Sequence, residues 1–328
     1  MSTKFAPTKR RAAIRLPSLA SAGPKPPVET YVEAPGPYGP LKGTMLAAAS
    51  GRAPMALIIP GSGPTDRDGN NSLGGKTSTY RLLAEALAAR GVGSVRIDKR
   101  GMFASAAAIA DADAVTIGDY AADVEAWTAV IRRETGVSSV WLIGHSEGGL
   151  VALSAAQKAT DIRGVVLMAA PGRPLGDILR EQLKANPANA PILAEALSAI
   201  DALEAGKRVD VAKLNPMLLP LFRPQVQEFL IDVFACDPAR LVANVSTPTL
   251  ILQGERDIQV SVADAERLKQ AAPNAELILL PDTNHVLKSV TSDDRRANIA
   301  TYADPSLPLA PGVADAIASF IAKATKAP

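Results

Sequence analysis

Residues 138–156 read Ser-Ser-Val-Trp-Leu-Ile-Gly-His-Ser-Glu-Gly-Gly-Leu-Val-Ala-Leu-Ser-Ala-Ala. The β-branched and aromatic content of 138–143 predicts a buried strand, and the apolar run from Gly149 predicts a buried helix. Between them stands Gly144-His145-Ser146-Glu147-Gly148, a Gly-x-Ser-x-Gly pattern at a strand-to-helix junction. So sharp a turn strains the backbone of its central residue and admits only neighbours without Cβ atoms. Ser146 is therefore a candidate nucleophile.

A serine hydroxyl needs an adjacent general base, most often imidazole. The chain has 2 histidines, His145 and His285. On a tight turn the side chain next to the serine points away from it, so His145 belongs to packing or to a neighbouring loop. His285 is the base by elimination. It lies in Pro281-Asp282-Thr283-Asn284-His285, after the strand-like run 275–280, where loops after parallel strands carry functional groups.

The imidazole in turn needs a buried carboxylate to hold its tautomer. Asp257 fits: it follows the apolar run 248–252 and the turn Gln253-Gly254-Glu255-Arg256. Glu255 is its main rival, with Asp264 and Asp282 as weaker candidates. The order Ser146, Asp257, His285 is that of α/β-hydrolases. Donors for a developing oxyanion are expected from backbone N–H groups. Leu57-Ile58-Ile59-Pro60-Gly61-Ser62-Gly63-Pro64 offers a strand opening into a Cβ-poor loop, so Ser62 and Glu147 are the candidate donors.

Three stretches together carry a resemblance. Pro60-Gly61-Ser62-Gly63-Pro64-Thr65-Asp66-Arg67-Asp68-Gly69-Asn70, Asp98-Lys99-Arg100-Gly101 and Gly144-His145-Ser146-Glu147-Gly148-Gly149 are similar to bacterial α/β-hydrolase esterases related to the serine aminopeptidase-like hydrolases. The resemblance runs from about Met55 to the C-terminus. It implies an α/β-hydrolase fold and carboxylesterase activity on short acyl esters, with Ser146, Asp257 and His285 as triad. Gly101-Met102-Phe103-Ala104-Ser105 departs from the family, which more often has glycines there.

A chain of 328 residues, 47% hydrophobic and 21% charged, can bury a substantial core. A net charge of +2 without a basic aromatic cluster gives no reason to expect nucleic acid or an anionic membrane as partner. A single cysteine, Cys236, excludes an intrachain disulfide framework and reads as a buried small hydrophobe. No cofactor is expected, and no metal. Gly74-Gly75-Lys76-Thr77 lacks the upstream glycine of a phosphate loop, and Asp66, Asp68, Asn70 and Asn71 read as turn formers. No apolar run is long enough to span a membrane and the start of the chain does not read as a signal, so a cytoplasmic location is expected. A homo-oligomer stays open.

Strand-like and helix-like segments alternate, which predicts a mostly parallel central sheet flanked by helices. The expected strands are 56–59, 93–97, 140–143, 165–169, 249–252 and 276–280, preceded by a short one at 28–33. Expected helices are 79–90, 117–133, 147–158, 262–271 and 313–324. Residues 1–27 read as an N-terminal arm, and 28–171 with 246–328 as the core. Between them, 172–245 reads as a helical cap insertion. Met217-Leu218-Leu219-Pro220-Leu221-Phe222 either lines an acyl pocket or packs the cap's own core.

The expectation for function is a serine carboxylesterase acting on a small-molecule, short-chain ester through an acyl-enzyme. Amide or peptide cleavage by the same residues is the alternative, with a non-catalytic hydrolase-fold binding protein beyond it.

Overall fold

The computed structural model describes residues 28–48, 53–72 and 74–326; the expected arm at 1–27 lies outside them. Among the described residues eight strands form one sheet: β1 (Glu29–Ala34), β2 (Leu41–Leu46), β3 (Met55–Ile59), β4 (Gly93–Ile97), β5 (Val140–His145), β6 (Ile162–Met168), β7 (Thr249–Gly254) and β8 (Glu276–Leu280). Their spatial order is β1-β2-β4-β3-β5-β6-β7-β8. From β4 to β8 every pairing is parallel, while β1 pairs antiparallel with β2, and β2 with β4.

All residues of β3, β4, β5 and β7 are buried. Strands covered on both faces need such near-continuous apolar runs. Alternation persists inside them: Leu57, Ile59, Val140 and Leu142 face one layer, whereas Ala56, Ile58, Trp141 and Ile143 face the other. The first layer is built by α2 (Ile117–Thr135), α3 (Glu147–Ala156) and α9 (Val262–Ala271). The second is built by α1 (Thr79–Ala88) and α11 (Val313–Lys326). Helix α2 starts on a reciprocal cap between Thr116 and Asp119 and stops at Gly136, whose φ of 74° suits a residue without Cβ.

Strand β2 is the element the sequence does not announce. Lys42 and Gly43 interrupt its apolar pattern, and its strand state comes from the ladders it makes on both sides, Glu29↔Leu46 to Ala34↔Leu41 with β1 and Gly43↔Ile97 to Leu46↔Ser94 with β4. Where glycines were expected after Arg100, Phe103 adopts a left-handed φ of 46°.

Between β6 and β7 the chain forms α4 (Leu175–Ala185), α5 (Leu193–Glu204), α6 (Leu219–Phe222), α7 (Pro224–Phe234) and α8 (Pro238–Ala243), with α10 (Arg295–Ala300) later in the chain. Leu218 and Phe222 are buried in the same cluster as the α2 layer, whereas Met217 is 67% exposed. Cys236 is half-buried, less covered than its expected role as a core hydrophobe requires.

Candidate active site

Four loops at the carboxyl ends of parallel strands converge, the usual location for function in such sheets. Ser146 directly follows β5 and precedes α3, with φ 53° and ψ −125°. A Cβ on Gly144 would collide with the Gly148 carbonyl, and one on Gly148 with the Ile59 carbonyl. The glycines are thus required by close approach, and the strained serine is held out by its surroundings.

His285 sits in the loop after β8, 5% exposed. Its Nδ1 donates to Asp257 Oδ2 at 2.8 Å, so that whenever the ring is neutral Nε2 is its acceptor. Asp257 is fixed by three further donors: the N–H groups of Gln259 and Val260 reach Oδ1 at 2.7 and 2.9 Å, and Gln253 Nε2 reaches Oδ2 at 3.2 Å. Burial pushes this carboxyl up, yet the charge and hydrogen bond of His285 and the two backbone donors outweigh it and hold the group below its ordinary value. Of the rivals, Asp264 binds Arg173 and Ser261, Asp282 lies 3.5 Å from Arg256, and Glu255 is exposed. The His285 loop is itself pinned, since Asn284 Nδ2 donates to Asn298 Oδ1 and Thr301 Oγ1.

His145 is held by two neighbouring segments. Its Nε2 donates to the His285 carbonyl at 2.8 Å, which requires the proton on Nε2. Nδ1 then accepts from Tyr80 Oη at 2.8 Å, and the same oxygen accepts the Gly61 N–H at 3.0 Å. Burial and the nearby His285 ring pull the His145 pKa down to about 3, so the ring stays neutral and the tautomer is fixed. One hydrogen-bonded chain thus joins the loop after β3 to the loop after β8. Tyr80 carries no sequence signal for this role; only the fold brings it to His145.

Ser146, His285, Gly61, Ser62, Tyr80 and Tyr302 share a cleft of about 170 Å³ with polar walls that include Thr65, Thr77 and Gln259. No residue of 172–245 lines it among the described residues, so the Met217–Phe222 stretch does not form this pocket. Among the described residues no hydrogen bond takes the backbone N–H of Ser62 or of Glu147. Glu147 opens α3, where N–H groups are left free and the helix end is positive. Asp66 Oδ1 accepts the N–H groups of Asp68 and Asn70, the Asp68 carboxylate pairs with Arg96, and no cluster of three metal-binding side chains occurs among the described residues.

A model of the family described as serine aminopeptidase, S33, matches residues 72–289. The chain belongs to this family. A curated relative, Esterase EstD of Thermotoga maritima, is 27% identical over 248 residues, which cover 74% of this chain and 57% of EstD. The chain therefore spans little more than half the length of that relative. Among solved structures, Est1E from Butyrivibrio proteoclasticus superposes with a TM-score of 0.56 at 15% identity, covering 90% of this chain and 99% of Est1E. The Pyrococcus furiosus esterase Pf2001 gives 0.55 at 18% identity, covering 90% and 91%. At such identities the likeness carries the fold alone, and that fold is the α/β-hydrolase fold. No helix among the described residues of this S33-family chain is long and apolar enough to cross a membrane.

Proposed function

We propose that the protein is a serine carboxylesterase for small, short-chain acyl esters. The observation that carries this reading is the Asp257–His285 hydrogen bond of 2.8 Å beside a strained, cleft-facing Ser146. In this reading His285 Nε2 takes the Ser146 proton as Oγ attacks the ester carbonyl. The oxyanion that develops accepts from the Ser62 and Glu147 N–H groups. His285 then returns the proton to the leaving alcohol, and water repeats the sequence on the acyl-enzyme to release the acid. Asp257 holds the imidazole tautomer and offsets its charge while it is protonated.

EstD is named an esterase, which supports the same chemistry. The family description supports peptide cleavage instead, yet the described lining of the cleft contains no Asp or Glu side chain to meet a substrate ammonium. A cleft of about 170 Å³ is below the usual range for drug-sized ligands and supports a short acyl chain. Residues 172–245 serve in this proposal as a helical cap on a core made by 28–171 and 246–328; its helices fall between two adjacent strands, β6 and β7. The acyl limit comes from the cleft walls.

The test is turnover of chromogenic esters from two-carbon to long acyl chains, beside aminoacyl anilides, by wild type and Ser146→Ala. Short esters should turn over fastest, with kcat lowered on the order of 10⁶-fold in the variant. Anilide turnover exceeding ester turnover would favour the peptidase, and turnover retained by Ser146→Ala would end the nucleophile assignment.

A further inference from the structure

We propose that Lys99 is a positioning residue for the oxyanion site, acting through the peptide between Gly61 and Ser62; the inference rests on the esterase reading of Ser146. Lys99 follows β4, and its side chain is 3% exposed. Its Nζ donates to the Gly61 carbonyl at 2.7 Å and to Glu147 Oε1 at 3.4 Å, and stands 5.3 Å from the centre of the Tyr120 ring. One ammonium thus holds the carbonyl of the peptide unit that carries the free Ser62 N–H and the side chain of Glu147, whose N–H is free beside Ser146.

The geometry of the peptide unit makes this directional. All described peptide bonds are trans, so the Gly61 C=O and the Ser62 N–H point in opposite directions from one plane. Holding the carbonyl from the protein interior aims the N–H toward the cleft that Ser62 lines. A cation on the carbonyl also polarises the unit, which strengthens the N–H as a donor. On its other side Gly61 is fixed by its own N–H, which donates to Tyr80 Oη at 3.0 Å.

A buried Lys–Glu pair is weak as a stabilising device, since apolar residues of similar volume often serve as well. The charge is explained better by what it does to the neighbouring peptide. The same clamp would keep the donor in place before the reaction begins, so that no reorganisation accompanies oxyanion formation.

The experiment compares full-length wild type, Lys99→Met and Lys99→Gln for kcat and KM on a short nitrophenyl ester, and for inhibition by a boronic acid that forms a tetrahedral anionic adduct on Ser146. Lys99→Met leaves Glu147 without its partner, so Lys99→Met with Glu147→Gln replaces it if the single variant fails to fold. We expect kcat to fall about ten- to a hundredfold with KM little changed, and boronate affinity to fall in parallel. Lys99→Gln, which keeps a donor without the charge, should lie between wild type and Lys99→Met. A folded variant with unchanged kcat and boronate affinity would overturn the role of Lys99, as would a loss of kcat with boronate affinity intact. Silence of wild type toward both ester and boronate would instead remove the reading of Ser146, and this inference with it.

Discussion

Around Ser146 the charged side chains are buried and partnered; between β6 and β7 they stay near the surface, and the side chains buried there are apolar apart from Gln227. Asp257, His285, Lys99 and Glu147 are each less than a tenth exposed at the side chain and lie in ion pairs or hydrogen bonds that fix atoms. In 172–245, Arg180 joins Asp201 and Glu204, and Arg208 joins Glu228, toward the surface, while Ile200, Leu203, Phe222 and Val233 are buried. Exposed pairs of this kind are worth about 0–1 kcal/mol each. The chain thus uses charge for geometry in one region and for solvation in the other. Substitutions should separate accordingly, costing turnover in the first and stability in the second.

The sharpest separation is expected from Asp257→Asn. An amide there presents an N–H to His285 Nδ1, which moves the ring proton to Nε2 and leaves no acceptor for the Ser146 proton. Turnover of a short ester should fall about 10⁴-fold while the circular dichroism spectrum is preserved. A loss below about tenfold would show that Asp257 does not orient the base.

The converse is expected from Phe222→Ala. Phe222 is fully buried, so the cavity left behind should cost about 3–5 kcal/mol in denaturant unfolding. Because no residue of this region lines the cleft, kcat of the folded variant should stay near wild type. A cost under about 1 kcal/mol would deny Phe222 its place in the core. A large drop in kcat at preserved stability would instead bring the insertion into the reaction.

The two regions also differ in what their residues disclose before folding. Ser146 is legible because its neighbours must be glycine, and the collisions at Gly144 and Gly148 are local to a strand-to-helix turn. His285 is legible because the chain offers so few imidazoles, and Asp257 because a carboxylate after an apolar run falls at a strand end. The Tyr80–His145 contact has no such signature, since it spans 65 positions and arises only when the fold brings the start of α1 to the end of β5. Lys99 belongs to a recognisable Asp-Lys-Arg-Gly string, but nothing in that string says that Nζ reaches the Gly61 carbonyl. Likewise the apolar character of Met217–Phe222 is plain, yet its destination is set by packing: Leu218 and Phe222 turn inward while Met217 remains in solvent. Strand β2 is hidden for the same reason, because its ladders with β1 and β4 override a weak local pattern.

A smaller effect tests whether the polar chain behind Ser146 is held in one protonation state. His145 has a pKa of about 3 in the folded protein against 6.5 when unperturbed, so unfolding below 6.5 is accompanied by proton uptake at this ring. The unfolded state then binds more protons, which means that stability is complete above the unfolded pKa and declines as pH falls toward the folded one. One proton corresponds to a slope of at most about 1.4 kcal/mol per pH unit. Replacing the imidazole by an amide in His145→Gln removes that contribution. Between pH 6.5 and about 5, above the ordinary carboxylate range, the wild-type unfolding free energy should fall more steeply than that of the variant. Denaturant titrations at several pH values read the difference directly. Parallel curves would mean that His145 titrates alike in both states, and the fixed tautomer linking Tyr80 to the His285 carbonyl would then have to be given up.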